Sequence, residues 1–332
     1  MSTRLSIMSF AHLHADFYAT AIGELDDVEL VGVWDDNPRR GEEAAAKYDT
    51  RFFPTVEELF APENEIQGAI VTSENVHHKR DVLAAAEAGV DVLCEKPISV
   101  SVADARVMID TCEDAGVQLM IAFPCRYSPT FRRLEEIIEG EELGEIVAIK
   151  STNRGQNPGG WFNDPELAGG GTVIDHTVHV VDMIRTLLGE EVVKVYAEID
   201  TVFKPDLPCD DAGVLTMNLE GGCVATLDAS WSRPDNYPIW GDVTMTLIGT
   251  GGNATVDLFV EHIDTWHEDA DTYLWEPYGH DANVGLIADF ADSVETGAPV
   301  PITGTDGLKA MEVALGAYRS SENGEPVGLP LT

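Results

Sequence analysis

The stretch Val90-Asp91-Val92-Leu93-Cys94-Glu95-Lys96-Pro97 joins a short apolar segment to an adjacent acid and base. Its apolar residues predict a buried strand that ends at Glu95 and Lys96. Pro97 fixes its own backbone angle and disfavours helical geometry at Lys96. Open α/β sheets place their chemistry at the carboxyl ends of their strands. The stretch is therefore typical either of a functional Glu-Lys pair at a sheet edge or of a strand that ends in a solvated ion pair.

Strands and helices alternate on both sides of this stretch. Further apolar strands are predicted at residues 4–8, 28–34, 68–72 and 118–123. Helices are predicted between them at residues 15–23, 39–48, 55–60, 76–88 and 102–115. Regular β-α alternation with buried strands predicts a doubly wound parallel sheet of the Rossmann type. We therefore predict an α/β fold whose N-terminal domain covers residues 1–123.

The first predicted strand leads through a turn at residues 9–14 into a helix. Backbone N–H groups and the helix dipole at such a turn make a phosphate site. Dinucleotide-binding folds usually carry glycines there, whereas this chain has Ser9, Ala11 and His14, which lack the conformational freedom of glycine. Asp35 ends the second strand, where an acid binds ribose hydroxyls and repels the 2′-phosphate of NADP. The pattern favours NAD, with NADP as the alternative because arginines follow at positions 39 and 40.

After Phe123 the pattern changes from alternating elements to consecutive strands. Strands are predicted at residues 145–153, 192–202, 212–219, 223–231, 243–248 and 254–258. Helices are predicted at residues 130–139, 284–296 and 306–321. Short glycine turns at 220–222 and 249–252 predict hairpins. Residues 124–332 are thus expected to form an α/β domain with a large open, mostly antiparallel sheet. Apolar residues on both faces of its strands predict a homodimer or homotetramer joined through that sheet.

A second chemical cluster follows the three glycines at 169–171. Asp175, His179 and Asp182 are spaced four and three residues apart, so they share one face of the predicted helix, and His176 is adjacent. An imidazole with a carboxylate one turn away is a plausible proton-transfer pair, in which the acid sets the tautomer. The other interpretation is an amphipathic helix with satisfied polar residues.

Composition excludes several kinds of partner. The 332 residues include 20 Lys+Arg and 59 Asp+Glu, a formal net charge of −39 that is scattered along the chain. Such an acidic surface repels itself unless salt screens it, so we expect adaptation to a salt-rich cytoplasm, as in halophiles. Nucleic acid and anionic membranes are excluded as partners because both require positive surface.

Cysteine and histidine spacing predicts neither disulfides nor a metal. The five cysteines are an odd number without CxxC spacing, which argues against a disulfide framework and a zinc ribbon. His12 and His14, and the adjacent His77 and His78, are too few to define a metal site, which needs three or four converging groups. We see no secretory segment and no apolar run of about 18 residues, so a cytoplasmic protein is expected.

Together these motifs resemble the Gfo/Idh/MocA oxidoreductases, the group of glucose-fructose oxidoreductase and inositol dehydrogenase. The resemblance spans nearly the whole chain and is carried, in order, by residues 95–97, 123 and 126–129, 169–182, 187–189, 306–309 and 318–320. The chain departs from the family at the glycine-poor turn. It also lacks the usual Thr-Pro-Asn at residues 71–78, although Asn75 and His78 keep the Asn-x-x-His spacing.

The resemblance implies a Rossmann domain, NAD or NADP as cofactor, and Lys96, Asp175 and His179 as the catalytic residues. Residues expected at the cofactor are Ser9, Phe10, Ala11, His12, Leu13, Asp35, Thr72, Asn75, His78, Glu95, Lys96 and Arg126. Residues expected at the substrate are Lys96, Arg126, Trp161, Asp175, His176 and His179. Other aromatic residues that could form a sugar-binding wall or the core are Tyr237, Trp240, Trp266, Tyr273, Trp275 and Tyr278.

The predicted function is an NAD(P)-dependent dehydrogenase or reductase for a carbohydrate, meaning a sugar, polyol or sugar acid. His179 is the expected proton acceptor, oriented by Asp175. Lys96 is expected to hydrogen-bond the reacting oxygen, or to be the base itself. Two alternatives remain: an NAD-dependent glycosidase of the same family, which oxidises its substrate transiently, and a non-catalytic sugar sensor.

Overall fold

The computed structural model describes residues 2–259, 262–266, 273–277 and 281–331, with residues 262–266 and 273–277 described as backbone strands alone. Two compact units are present. The first comprises Met1–Pro124 and Ala282–Leu308, and the second comprises Cys125–Asp281 and Lys309–Thr332. The sequence predicted a division at residues 123 and 124, with everything after it in the second domain. The structure instead assigns the segment Ala282–Leu308 to the first unit.

The helices have the following bounds: α1 (His14–Gly23), α2 (Pro38–Lys47), α3 (Val56–Leu59), α4 (His78–Glu87), α5 (Val102–Ala115), α6 (Pro129–Glu139), α7 (Pro165–Ala168), α8 (Thr172–Leu188), α9 (Ala282–Thr296) and α10 (Gly304–Asn323). The strands have the following bounds: β1 (Thr3–Met8), β2 (Val28–Trp34), β3 (Arg51–Phe53), β4 (Gly68–Val71), β5 (Asp91–Glu95), β6 (Leu119–Ala122), β7 (Ile146–Gly155), β8 (Val192–Asp200), β9 (Ala212–Leu219), β10 (Val224–Ser230), β11 (Gly241–Gly249), β12 (Asn253–Asp257), β13 (His262–Trp266), β14 (Tyr273–Pro277) and β15 (Val327–Gly328). Across the described ranges, the helices all fall short of the combined length and hydropathy of a membrane span.

The sheet of the first unit has six strands in the order β3-β2-β1-β4-β5-β6, all parallel. This confirms the predicted doubly wound parallel sheet. Met8 pairs with Val71, and Val71 pairs with Cys94, so β1, β4 and β5 end side by side. The turn at residues 9–14, the residues after β4 and the Glu95-Lys96 pair therefore meet at one edge of this sheet.

Helix α9 belongs to the first unit because its apolar face packs on α1 and β1. Leu286, Ile287 and Phe290 are fully buried there. A Cβ atom on Gly68 of β4 would lie 3.0 Å from the Phe290 ring, so the absence of a side chain makes room for that ring. Sequence periodicity predicted the helix, but it carries no information about which core the apolar face enters.

The large sheet of the second unit has seven strands in the order β12-β11-β7-β10-β9-β8-β15. Every neighbouring pair is antiparallel except β7 with β10. This confirms the predicted open, mostly antiparallel sheet and both glycine hairpins. Helix α8 packs against β7, β9 and β10. Among the predicted aromatic residues, Tyr278 and the side chains of Trp266, Tyr273 and Trp275 lie outside the described residues.

Candidate active site

The turn after β1 is held by serine in a backbone conformation that glycine usually adopts. Ser9 has φ +75°. Its N–H donates to Trp34 O (2.6 Å), and its Oγ accepts from Ala11 N (3.2 Å) and from Arg40 Nη2 (3.1 Å). These bonds offset the cost of a left-handed conformation in a residue with a Cβ atom. The turn thus keeps a tight geometry without glycine.

Helix α1 begins directly after this turn, and its first turn is only lightly covered. Leu13 occupies the N-cap position, has no capping side-chain hydrogen bond and is 41% exposed. Phe10 and Ala11 are half-buried, whereas His12 is buried. His12 binds the first two helical N–H groups: His14 N donates to its Nδ1 (3.1 Å) and Ala15 N donates to its main-chain O (3.1 Å). The dipole of a helix N-terminus attracts phosphate. These features fit the pyrophosphate of a dinucleotide.

Glu95 links that turn to the end of β5 and is fully buried. Its carboxylate accepts hydrogen bonds from His14 Nδ1 (2.8 Å), from Lys96 N (3.0 Å) and from the Tyr18 hydroxyl. Burial opposes ionisation, but the adjacent His12 and His14 hold the pKa of Glu95 well below its usual range. Glu95 was predicted at the cofactor, which stays a prediction; its observed contacts tie the turn after β1 and the start of α1 to Lys96.

The ligand atoms of His12, His14 and Glu95 lie within 4.8 Å of one another, a spacing that a metal ion could use. His12 Nδ1, however, accepts a hydrogen bond from His14 N (3.1 Å), so a neutral His12 ring carries its proton on Nε2. That nitrogen faces Glu95 Oε2 at 4.0 Å. A protonated nitrogen is no metal ligand. This hydrogen bond favours a protonated cluster over a metal centre, and the absence of a metal remains a prediction.

Asp35 directly follows β2, close to the predicted strand end, but other protein groups already bind its carboxylate. It is 1% exposed and accepts from Phe10 N (2.7 Å) and from Arg40 Nε and Nη2 (2.8 Å each). Arg40 also lies 3.1 Å from Asp36 and 3.7 Å from Glu74. The predicted ribose-binding acid is therefore one of three carboxylates around a single guanidinium.

Thr72 and His78 were also predicted at the cofactor, and both are fully buried. The Thr72 hydroxyl donates to Ser9 O (2.6 Å). The ring nitrogens of His78 lie 2.9 Å from Pro97 O and 3.1 Å from Ser73 O, and burial lowers the pKa of this histidine. These contacts indicate that both residues brace the strand ends.

Lys96 and Asn75 complete the predicted residues of the first unit. Both are buried, with exposed fractions of 4% each. Lys96 directly follows β5, and its backbone N–H donates to Glu95. The strand-end position that the sequence predicted for the lysine is therefore the observed one.

In the second unit, the N-terminus of α8 is closed by two residues from distant parts of the chain. Asp210 accepts from Gly171 N (Oδ1, 2.9 Å), Thr172 N (main-chain O, 3.0 Å) and Val173 N (Oδ2, 2.8 Å). The Tyr318 hydroxyl accepts from Gly171 N (3.1 Å) and from the N–H of residue 174 (3.3 Å), and it donates to Asp210 Oδ1 (2.8 Å). The first four N–H groups, which a helix leaves without intrahelical partners, are thus all bound.

The glycines at this turn are needed because Asp210 and Tyr318 approach the backbone closely. A Cβ atom on Gly171 would lie 2.0 Å from Asp210 O, and one on Gly170 would lie 2.2 Å from the Tyr318 hydroxyl oxygen. Gly170 also has φ +157°. The sequence predicted a close backbone approach at this turn, and the approaching groups are protein side chains and a carbonyl.

The predicted catalytic residues of α8 are almost completely buried. His179 is 7% exposed, and its Nδ1 lies 3.9 Å from Cys125 Sγ, within hydrogen-bonding range for sulfur. Asp182 is fully buried and accepts from Arg126 through Nε (2.8 Å) and Nη2. Arg126, predicted at the cofactor and the substrate, is therefore held by a buried ion pair.

Asp175, 6% exposed, has an adjacent histidine as a neighbour. His176 Nε2 lies 3.3 Å from Asp175 Oδ2, and His176 Nδ1 lies 2.7 Å from Asn153 O. Trp161 is half-buried and stacks on Phe162 with a centroid distance of 4.0 Å. Trp161 thus packs at the edge of an aromatic cluster.

Sequence reasoning missed Asp210, Cys125 and Asn153 altogether, and it placed Tyr318 only within a C-terminal motif. Asp210 lies in a segment without strand or helix periodicity, and Cys125 is one of five scattered cysteines. A weak signal existed for Tyr318, because a family motif in a terminal helix indicates contacts elsewhere. The other missed partners act through tertiary contacts that a local pattern does not encode.

Comparison with known proteins matches two consecutive family models to this chain. An oxidoreductase family with an NAD-binding Rossmann fold matches residues 10–123, and the GFO/IDH/MocA C-terminal domain matches residues 131–255. Myo-inositol 2-dehydrogenase of Thermotoga maritima is 27% identical over 94% of each chain. D-xylose 1-dehydrogenase (NADP(+)) 2 of Haloferax volcanii is 28% identical over 82% of this chain and 83% of its own.

Solved structures show the same fold. GenD2 from gentamicin A biosynthesis, in complex with NAD, superposes with a TM-score of 0.90 at 24% identity, covering 99% of this chain and 97% of that one. The two family models follow each other in the order of the two units, and the fold agrees over the whole length. The chain therefore belongs to the Gfo/Idh/MocA family of oxidoreductases, with an NAD-binding Rossmann domain followed by the family's C-terminal domain.

Proposed function

We propose that this enzyme is an NAD-dependent dehydrogenase or reductase that acts on a hydroxyl or carbonyl carbon of a sugar, polyol or sugar acid. The observation that carries the proposal is α8, which holds Asp175 and His179 on a helix whose first four N–H groups are fixed by distant residues. Catalytic groups need such fixed positions. Relatives whose names specify myo-inositol and D-xylose support the substrate class.

The first unit binds the dinucleotide and the second unit provides the substrate site. The turn at residues 9–13 and the start of α1 hold the pyrophosphate, and Asn75 and Lys96 lie at the same edge of the sheet. When bound, NAD supplies the hydride acceptor. The protein's own contribution is to position both molecules and to handle the proton.

The proton and the reacting oxygen are handled by three side chains. His179 accepts the proton when a hydroxyl is oxidised, and Cys125 at its Nδ1 fixes the orientation of the ring. Lys96 donates a hydrogen bond to the reacting oxygen, where a cation stabilises developing alkoxide. Asp175, one turn before His179 on α8, provides a buried negative charge to the site. The alternative assignment is that Lys96, rather than His179, accepts the proton from the substrate hydroxyl.

NAD is preferred over NADP because of the charges around Arg40. Asp35, Asp36 and Glu74 surround that guanidinium, and Arg80 lies 3.3 Å from Asp36, so a 2′-phosphate would meet three carboxylates for two cations. Equilibrium binding of NADH and NADPH measures the preference directly. Tighter binding of NADPH would reverse this assignment.

The test of the function is a dehydrogenase screen over pentoses, hexoses, inositols and sugar acids, with NADH formation followed in molar salt. Lys96→Ala is expected to lower turnover by about a hundredfold or more while NAD binding changes little. The matched control is Lys79→Ala, because Lys79 is an exposed lysine of the same unit that pairs with Asp104. Near-normal turnover of Lys96→Ala would refute the role of this lysine.

The same screen separates the other functions. Cleavage of a glycoside that requires NAD but yields no net NADH would identify a glycosidase. Sugar binding without turnover of any kind would identify a sensor.

The open face of the large sheet is the proposed surface for a homodimer or homotetramer. Val214, Val224 and Ile248 expose 59%, 37% and 45% of their surface. Burying such apolar side chains stabilises association, and salt screens the repulsion between acidic subunits. Because the formal net charge is −39, we propose that the enzyme works in a salt-rich cytoplasm and needs molar salt to fold and assemble. Light scattering in molar salt is the measurement, and a mass near 36 kDa would show a monomer.

A further inference from the structure

Arg40 of α2 joins two residues that fix the turn after β1. Its Nη2 donates to Ser9 Oγ (3.1 Å), and its Nε and Nη2 donate to the Asp35 carboxylate (2.8 Å each). Asp35 in turn accepts from Phe10 N (2.7 Å) and from Asn37 N (2.8 Å). One guanidinium therefore holds the first residue of the turn directly and the second through a carboxylate. The planar fork of arginine allows this double contact, whereas lysine offers a single ammonium.

The backbone conformation of Ser9 explains why the turn needs these contacts. A φ of +75° is unfavourable for a residue with a Cβ atom and nearly free for glycine. Dinucleotide-binding folds usually have glycine at this position, and glycine keeps such a turn without help from a side chain. Here the Ser9 hydroxyl, which glycine lacks, accepts from Ala11 N and from Arg40. The bonds to this hydroxyl thus take the place of the conformational freedom of glycine.

The start of α2 lies close to the end of β2, so Arg40 can reach the turn. The Asn37 side chain caps the helix by accepting from Arg40 N (3.3 Å). A Cβ atom on the buried Gly41 would lie 2.9 Å from Asp35 Cβ and 2.4 Å from the Phe52 ring, so the missing side chain permits this close packing. The Arg40 side chain is only 28% exposed. Its position is therefore set by the packing of α2 as well as by its hydrogen bonds.

We propose that Arg40 is a positioning residue for the dinucleotide turn and is not a ligand for the 2′-phosphate of NADP. This inference rests on the proposed function, which places the pyrophosphate at this turn, and it adds the residue that maintains the turn without glycine. Besides Ser9 and Asp35, the guanidinium meets Asp36 at 3.1 Å and Glu74 at 3.7 Å. A phosphate that approached Arg40 would compete with all of these oxygens.

The first experiment is equilibrium binding of NADH and NADPH to the full-length protein in molar salt. Arg40→Lys keeps the positive charge but cannot bond Ser9 and Asp35 together, so Kd is expected to rise by about tenfold for both cofactors. The matched control is Arg39→Lys, which should change neither Kd, because Arg39 is 87% exposed and pairs with Glu43. A loss confined to NADPH, or unchanged Kd values in Arg40→Lys, would overturn the proposal.

The second experiment changes the residue that Arg40 supports. Ser9→Ala keeps the Cβ atom and loses the hydroxyl, so Kd for NADH should rise about as much as in Arg40→Lys. Ser9→Gly loses the conformational cost as well, so Kd should stay within about twofold of the wild type. In the Arg40→Lys background, Ser9→Gly should restore most of the affinity. No restoration, or equal Kd values for Ser9→Ala and Ser9→Gly, would overturn the proposal.

Urea unfolding of the same variants in molar salt separates this inference from the proposed function. The effects of Ser9→Gly and Arg40→Lys on the unfolding midpoint are expected to be non-additive, because the two side chains are in contact. Additive effects would overturn the proposal, and so would coupled midpoints with an unchanged Kd for NADH, which would show a purely structural role. Absence of NADH binding to the wild type would instead refute the proposed cofactor, and the midpoints alone would then decide whether Arg40 supports the turn.

Discussion

The N-termini of α1 and α8 look similar in the sequence and differ in the structure. Small residues precede each helix, Ser9 and Ala11 before α1 and the three glycines at 169–171 before α8, and such residues allow close approach to the backbone at a helix start. At α1, the N-cap residue Leu13 is exposed and its own side chain makes no cap, while His12 of the preceding turn binds the N–H groups of His14 and Ala15. At α8, Asp210 and Tyr318 bind the first four N–H groups. We call the α1 terminus open, because its N-cap residue is exposed, and the α8 terminus closed, because distant parts of the chain bind its N–H groups.

The difference shows what each glycine or small residue is for. At α8 the groups that approach the glycines belong to the same chain: the main-chain carbonyl of Asp210 and the Tyr318 hydroxyl. The Asp210 carboxylate also meets the helix dipole, so the turn cannot recruit an anionic part of the substrate. The closed terminus makes a rigid base for Asp175, whereas the open terminus is the proposed cofactor site.

The largest expected effect comes from adding a methyl group to the closed turn. Gly171→Ala would place Cβ 2.0 Å from Asp210 O, so the backbone must move. We expect the free energy of unfolding to fall by about 3 kcal/mol, the upper range for overpacking. The matched change in the open turn, Ala11→Gly, is expected to cost only about 0.5–1 kcal/mol through chain entropy. Urea unfolding in molar salt measures both, and equal losses would show that the two turns are alike.

A smaller effect is expected at the open terminus. There, one substitution should maintain or raise the stability of the protein and weaken its binding of NAD. Leu13→Asp adds a negative charge where the helix dipole favours it, so stability should be unchanged or rise by up to about 1 kcal/mol. The same charge repels a pyrophosphate, so the Kd for NAD should rise by about tenfold at the lowest salt that keeps the protein folded.

Leu13→Asn is the control for this charge, because the asparagine side chain has nearly the shape of aspartate and is neutral. It should bind NAD several times more tightly than Leu13→Asp. Equal affinities of the two variants would mean that the cofactor does not use this helix terminus.

The sequence predicted most of the fold because the signals are local. The β-α alternation specified the parallel sheet, and the glycine hairpins specified the antiparallel one. Very short strands such as β3 and β15 were missed because two or three residues carry no period. The sequence did not predict that α9 packs in the first unit, because an apolar helix face carries no information about which core it enters.

The candidate site was predicted less completely than the fold. Lys96 was placed correctly at a strand end because strand, acid, base and proline are consecutive. Glu95 and His78 were assigned to the cofactor, yet their buried contacts tie loops together. Asp210 could not be found, because its partners lie 37 to 108 residues away in the chain. Polar residues that hold a site resemble, in sequence, those that line it.

The smallest expected effect is a pH dependence of the closed terminus. Burial raises the pKa of Asp210, although its hydrogen bonds to Val173 N, Tyr318 and Gly171 N act in the other direction. An acid whose folded-state pKa exceeds its unfolded value binds more protons in the folded state. Its ionisation therefore lowers the free energy of unfolding as pH rises from the ordinary Asp pKa, about 3.9, through the raised value.

Asp210→Asn removes this ionisation and is expected to be destabilised most at about pH 4, below the raised pKa. As the pH rises toward neutrality, ionisation of Asp210 lowers the free energy of unfolding of the wild type, whereas that of the variant does not change in this way. The difference in free energy of unfolding between the two proteins should therefore narrow. Urea unfolding of both proteins at several pH values in molar salt measures the trend. A difference that widens toward neutral pH would mean that the helix dipole outweighs burial at this carboxylate. The closed terminus would then resemble an ordinary charged cap, and the comparison with α1 would rest on geometry alone.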